Sequence, residues 1–326
     1  MNYALSLRQE VMRTIEESMD QLSNKYLRPI EESWQPADFL PDSQNESFFE
    51  EVKDLQELAR GMSYDLLTVL IGDTITEEAL PNYEAWLMSI DGIDRTSETG
   101  WGKWIRSWTA EENRHGDLLN RYLYLSGRVD MRQLEISTQY LISDGFDTQA
   151  GTDPYNSFVF TSFQELATNI SHRRVASEVK KLGDERLGRI CGVIAADEAR
   201  HANAYKTFVS LILEMDPSGL ILAFEEMMKK KIVMPAHKLR GTDEAIGNLF
   251  KEFSFAAQRT SVYTTQDYIE ILQSLLSEWD IGHLNELTDE AEKARDYLMA
   301  LPNRLERISS RMKIPQGQYS FKWITR

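Results

Sequence analysis

The sequence predicts an all-α fold. Helical periodicity runs almost without interruption, and its breaks coincide with turn-forming residues. One short pattern also occurs twice on helix-like stretches, as Glu112-Asn113-Arg114-His115 and Glu198-Ala199-Arg200-His201.

The first amphipathic stretch covers Ala4 to Leu27 and ends near Pro29. Trp34-Gln35-Pro36 and Pro41-Asp42-Ser43 read as an irregular connection. Helical stretches then follow at 47–60, 63–91, 97–126, 129–143, 155–182, 184–214, 217–231, 240–260, 264–279 and 286–310, a bundle of about ten to eleven helices. Asp91-Gly92, Ser126-Gly127, Gly151-Thr152-Asp153-Pro154 and Asp216-Pro217 separate them, and Pro302 stands near the end of the last. In the tail from Pro315, Tyr319, Phe321 and Trp323 alternate at period two, as in a short strand or hairpin. No Pro/Gly/Ser linker divides the chain. The expectation is one domain over residues 1–326: an N-terminal helix and connection (1–45), a bundle (47–310) and a tail (311–326).

Composition narrows the function. A hydrophobic fraction of 42% and a charged fraction of 27% are those of a globular protein. No run of eighteen apolar residues indicates a membrane span. A net charge of −16 argues against nucleic-acid binding, which needs a surplus of Lys and Arg. Cys191 is the single cysteine, so no internal disulfide is possible, and its apolar neighbours predict a buried, inert thiol. The acidic start resembles neither a secretory signal nor a transit peptide. A bacterial cytoplasmic protein is therefore expected, with the plastid stroma as the alternative if a transit segment has been removed.

The repeated E-x-x-H carries the chemistry. Residues three apart on a helix lie about 60° apart around its axis, so each Glu and His share a face. Two such helices aim two carboxylates and two imidazoles into one volume. With Glu at about a tenth of positions, five His give on the order of half an E-x-x-H by chance, so one copy is weak and two are informative. A four-helix di-iron site needs one further Glu from each of two more helices. Glu165 precedes Glu198 by 33 residues, and Glu77 precedes Glu112 by 35. Spacing alone does not separate Glu77 from Glu78. Pro81 cannot donate a helical hydrogen bond to the Glu77 carbonyl, which predicts a kink there. His172, His237 and His283 lack the Glu three residues earlier and read as structural or surface residues.

Longer motifs add a family resemblance. Thr76-Glu77-Glu78-Ala79-Leu80-Pro81, Trp108 to Gly116, Thr161 to Glu165, Ala195 to His201, Tyr122 to Met131, Met234 to His237 and Val262-Tyr263-Thr264 resemble the soluble acyl-carrier-protein desaturases. The resemblance implies a homodimeric, ferritin-like helical bundle with two iron ions, using O2 and ferredoxin to place a cis double bond in an acyl chain on acyl carrier protein. It implies Glu77, Glu112, His115, Glu165, Glu198 and His201 as ligands, Thr168 beside the oxygen-binding side, and Asp197 with Trp34 on an electron route through His115. It also implies a substrate tunnel shaped by Trp86, Ser89, Ile90, Thr148 and Ser157. Family members commonly carry Met where Trp86 stands and Gly where Ser157 stands. Both changes add bulk, so chains of 16 carbons or fewer are expected. Lys229, Lys230 and Lys231 form a candidate docking patch for an acidic carrier. Two other readings compete: another di-iron oxidase, with Tyr205 as a radical site, and a non-catalytic iron-binding bundle.

Overall fold

The computed structural model describes residues 6–325 and contains thirteen α-helices among them. The first stretch divides into α1 (Leu7–Glu16) and α2 (Met19–Tyr26); Ala4, where it was expected to begin, lies outside the described residues. Next come α3 (Phe48–Arg60), α4 (Tyr64–Glu78), α5 (Leu80–Leu87), α6 (Gly100–Ser126) and α7 (Met131–Asp144). The long α8 (Pro154–Lys181) and α9 (Glu185–Met215) pack against each other along most of their length. They are followed by α10 (Pro217–Lys230), α11 (Phe250–Arg259), α12 (Thr265–Glu278) and α13 (Asp289–Ser309).

Side-chain caps set many of the starts. Ser63, Asp130, Asp153, Asp184, Asp216 and Thr288 each accept a first-turn backbone N–H, and Pro154 and Pro217 occupy the first turns of α8 and α10. Gly127 closes α6 at φ 65°, the left-handed region that favours glycine.

Two expectations need correction. The stretch from 240 becomes helical only at Phe250, because Gly247 takes φ 78° with the His237 carbonyl pressed against the place a Cβ would fill. The last helix runs to Ser309, in line with the expected 286–310, with Pro302 inside it and its ring buried. The tail forms no strand among the described residues. One bridge joins Val129 to Ile324, and Trp323 is buried with its Nε1 donating to Ser137 Oγ at 2.8 Å. The short connection between α6 and α7 offers only a few residues for pairing.

The core falls into two apolar clusters. Helix α6 contributes Trp104 and Trp108 to one and Leu118 to Leu123 to the other. Helix α8 gives Phe158 to Ala167 and Val175 to Val179, while α9 gives Ala204 to Leu213 and Leu187 to Ile194. Glu112, His115, Glu198 and His201 stand between these paired segments. No helix among the described residues is long and apolar enough to cross a membrane.

Candidate metal centre

Helix α4 breaks at Ala79, two residues after Glu77, as the Pro81 argument expects. The break places Glu77 in the last turn of α4. Helix α6 presents Glu112 and His115, α8 presents Glu165, and α9 presents Glu198 and His201. The structure brings all six together in two groups. Glu77, Glu112, His115 and Glu198 form one, and Glu112, Glu165, Glu198 and His201 the other. Within each group one donor atom per residue lies within 4.8 Å of the rest. Glu112 and Glu198 belong to both.

A glycine permits the approach of α4. A Cβ on Gly116 would lie 3.1 Å from the Glu78 backbone N and 3.2 Å from the Glu77 carbonyl carbon. Gly116→Ala is expected to shift the end of α4 by a few tenths of an ångström. Turnover should fall about tenfold with unchanged helicity, checked by circular dichroism beside the product assay.

His115 Nδ1 lies 3.3 Å from Glu112, 3.4 Å from Glu198 and 3.8 Å from Glu77. His201 Nδ1 lies 2.6 Å from Glu112 and 3.8 Å from Glu165. These atoms do not meet in hydrogen-bond geometry. Glu112 Oε1, both Glu165 oxygens, His115 Nδ1 and His201 Nδ1 are buried with no hydrogen-bond partner. Buried polar atoms left unpaired are costly, and a cation held between them would satisfy them together. Carboxylate oxygen and imidazole nitrogen are donors that iron accepts, and four carboxylates match the charge of two divalent ions. The residues present therefore fit a pair of iron ions.

Electrostatics agree with the crowding. Burial pushes the Glu77 and Glu165 carboxyls above their usual range. Burial also opposes ionisation of Glu112, but the charges of His115 and His201 outweigh it and hold Glu112 at about 2. His201 would be lowered by burial; Glu112 outweighs that and raises it to about 9.

The outward nitrogens show an arrangement that E-x-x-H alone does not reveal. His201 Nε2 meets Glu111 Oε2 at 3.0 Å, and His115 Nε2 lies 3.5 Å from Asp197 Oδ2. The carboxylate preceding Glu112 thus backs the histidine of α9, and the one preceding Glu198 backs the histidine of α6. Arg200 bridges the two acids at 2.8 and 2.6 Å, and Arg114 reaches Asp197 at 3.4 Å. The full repeat is therefore acid-Glu-x-Arg-His, legible as Glu111 to His115 and Asp197 to His201.

Trp34 completes the arrangement expected on this side. Its Nε1 donates to Asp197 Oδ2 at 2.9 Å, and its ring stacks 6.0 Å from His115. Thr168 Oγ1 donates back to its own helix and also lines a cavity of about 190 Å³ that reaches Glu77, Glu112 and Glu198. Tyr83, Phe163 and Tyr268 make much of that wall.

Other expected residues lie elsewhere. None of Trp86, Ser89, Ile90, Thr148 and Ser157 lines this cavity. Trp86 is half-buried behind Tyr83, with ring centroids 6.4 Å apart, and donates to the Gly151 carbonyl. Ile90, Thr148 and Ser157 are buried, and Ser89 is exposed. Lys229 and Lys230 pair with Glu225 and Glu226 on their own helix, which reduces the positive character of the patch; Lys231 follows at the exposed C-cap. Tyr205 is buried between Trp104 and Trp108.

Two histidines depart from the reading as ordinary residues. His172 is buried with Nε2 2.9 Å from Glu77 Oε1, and His237 joins the cavity wall, stacked on Phe250. His283 is exposed, in line with a surface residue. Cys191 is buried, as expected.

Comparisons with known proteins identify the family. A stearoyl-[acyl-carrier-protein] 9-desaturase of Arabidopsis thaliana is 49% identical over 323 residues, covering 97% of this chain and 81% of the relative. A stearoyl-[acyl-carrier-protein] 9-desaturase of Ricinus communis is 49% identical over 325 residues, with the same coverage. An X-ray structure from Mycobacterium tuberculosis H37Rv, whose description proposes an acyl-ACP desaturase, shares the fold. It superposes with a TM-score of 0.53 at 17% identity, covering 86% of this chain and 96% of the other. The sequence model of the fatty acid desaturase family matches residues 7–325. With its ferritin-like helices and its buried carboxylate–histidine cluster, the chain belongs to the fatty acid desaturase family, on the acyl-[acyl-carrier-protein] desaturase branch that its motifs resemble.

Proposed function

We propose that this protein desaturates a saturated fatty acyl chain carried as a thioester on acyl carrier protein, a step of fatty acid biosynthesis. Six donors from four helices, five of them buried and Glu77 partly so, converge beside a largely apolar cavity and carry this reading. The reaction balances as one acyl chain, O2, two electrons and two protons giving one cis-alkene and two waters. Ferredoxin is the electron donor in this reading. When bound, two iron ions together with O2 would supply the oxidising power that side-chain acids and bases lack for an unactivated C–H bond.

The chain's own residues do the rest. Glu77, Glu112, His115, Glu165, Glu198 and His201 would hold the ions, Glu112 and Glu198 being the residues common to both donor groups. Asp197 and Glu111 orient the two imidazoles from behind. Trp34, bonded to Asp197 and stacked on His115, joins the surface-proximal connection to the buried cluster, a route for electrons inward. Thr168 borders the cavity on the side where O2 and the acyl chain would meet the ions. The cavity's aromatic wall keeps the reacting carbons dry and in register. Lys229 to Lys231 would contribute to carrier docking, and the active assembly would be a homodimer. The curated relatives described above are chloroplastic, which favours the plastid stroma for the compartment.

The test supplies ferrous iron, ferredoxin, its reductase, NADPH and O2 with acyl carriers of 14, 16 and 18 carbons, and reads products by mass spectrometry. An unsaturated product is expected, with the 16-carbon or 14-carbon chain turned over fastest because the Trp86 indole adds bulk behind the cavity wall at Tyr83. A hydroxylated product would favour another di-iron oxidase, and a strong 18-carbon preference would remove the argument from bulk.

Metal loading should be tied to pH. In protein stripped with a chelator, His201 with a pKa of about 9 is protonated near neutrality, whereas a metal takes neutral imidazole. Burial keeps a proton on Glu165 to a higher pH than usual as well. Ferrous iron should therefore displace protons, from His201 in full well below pH 9, by half at about pH 9 and progressively less above it. Affinity should weaken as pH falls. Calorimetric titration in buffers of different ionisation enthalpy measures the number released; no buffer dependence at pH 7 would contradict the assignment.

A further inference from the structure

Glu77 is the least well supported of the six candidate ligands by its own helix. It sits in the last turn of α4, two residues before the break at Ala79. The other five lie well inside α6, α8 and α9. Glu77 also borders two cavities, one on the Thr168 side and an open one lined by Glu84, Thr109 and Asp117. Its side chain is 9% exposed, close to the 8% of Glu112 and above the 1% of Glu165 and 2% of Glu198. A carboxylate so placed needs an anchor to keep one orientation.

We propose that His172 is that anchor, a positioning residue for the metal centre. Its Nε2 hydrogen-bonds Glu77 Oε1 at 2.9 Å, while Glu77 Oε2 faces His115 at 3.8 Å. One carboxylate oxygen is thus held from behind and the other is presented to the cluster. His172 is 1% exposed in the middle of α8, and the Cys191 thiol of α9 lies against its ring. Through His172 the weakly supported end of α4 is tied to the α8–α9 pair. Seven residues separate Glu165 from His172, two helical turns, so one face of α8 supplies a candidate ligand and the anchor for another.

This inference rests on the reading of Glu77 as a ligand, and the test separates the two. Cobalt(II) titrations are followed by d–d absorption for wild type and for His172→Phe, His172→Gln, His172→Asn and Glu77→Gln, each checked for fold by circular dichroism. Wild type should take two ions. His172→Phe should bind the Glu77-side ion about tenfold or more weakly, with an altered band, and leave the other ion unchanged. Gln places an N–H where Nε2 stands and should restore binding; Asn places it where Nδ1 stands and should not. His172→Phe added to Glu77→Gln should cost nothing further. Wild-type affinity and spectrum in His172→Phe would overturn the proposal. So would Gln as weak as Asn, or additive losses in the double variant. Fewer than two ions in wild type would overturn the metal-centre reading itself, and this inference with it.

Discussion

Alanine at Glu112 or Glu198 is expected to strip both metal ions from the protein and to lower turnover by about a thousandfold or more. The reason is geometric. These two carboxylates are the residues common to both donor groups, so removing either depletes both sites at once. Glu77→Ala should spare the group built on Glu165 and His201, and Glu165→Ala should spare the one built on Glu77 and His115. Metal analysis then distinguishes the residues: near zero ions for the shared pair and about one for the unshared ones. Glu78 serves as the control. Its oxygens accept from Asn120 at 2.7 Å and Thr138 at 3.2 Å, away from the cluster, so Glu78→Ala should retain both ions. Retention of two ions by Glu112→Ala would remove the shared-carboxylate arrangement.

The second large effect is expected at Asp197. Its carboxylate accepts from Trp34 Nε1, from Arg200 at 2.6 Å and from Arg114 at 3.4 Å, with His115 Nε2 3.5 Å away. Asp197→Ala leaves two guanidinium groups facing Glu111 alone and an indole without its acceptor. Breaking a buried charge network of this kind costs about 3–5 kcal/mol, read as a lower midpoint in urea. Turnover should fall about a hundredfold, because the imidazole behind the metal loses the partner that orients it. Asp197→Asn separates the two effects: its shape preserves much of the stability, whereas its neutral amide cannot replace the negative charge beside His115. Burial alone would raise the Asp197 pKa, but His115 and Arg200 outweigh it and depress it below the usual carboxylate range. Its contribution to stability is accordingly present at neutral pH and lost only as pH falls through that depressed value. Equal urea midpoints for wild type and Asp197→Ala would count against the network.

Local signals were legible in the sequence: Asp153 and Pro154 start α8, Gly127 ends α6, and Pro81 breaks the helix beside Glu77. The pairing of Glu112 with His115 and of Glu198 with His201 was legible because helical spacing confines each pair to one face; Glu165 followed from the matching distance to Glu198, and Glu77 was separated from Glu78 only by the family resemblance. Neither the role of Glu111 nor the place of His172 beside Glu77 was legible, for different reasons. Glu111 looks like one more surface acid until the repeat is extended to include the preceding acid and the Arg. His172 belongs to no repeat, and only its seven-residue distance from Glu165 marks its face. The late start of α11 depends on a carbonyl, that of His237, crowding Gly247, a contact that no local pattern encodes. The tail's alternation is real, but a strand needs a partner long enough to pair with, and the segment between α6 and α7 is not.

The crossing of Glu111 to His201 and of Asp197 to His115 makes the two halves of the bundle interlocked. Neither helical hairpin carries a finished imidazole of its own, since each borrows its outer acid from the opposite half. A fragment holding only one hairpin would expose an unsupported donor set, so iron capture should track closure of the whole bundle in an all-or-none fashion. Metal capture by this donor set would thus come last in assembly, after the apolar segments on both sides of the cluster have packed.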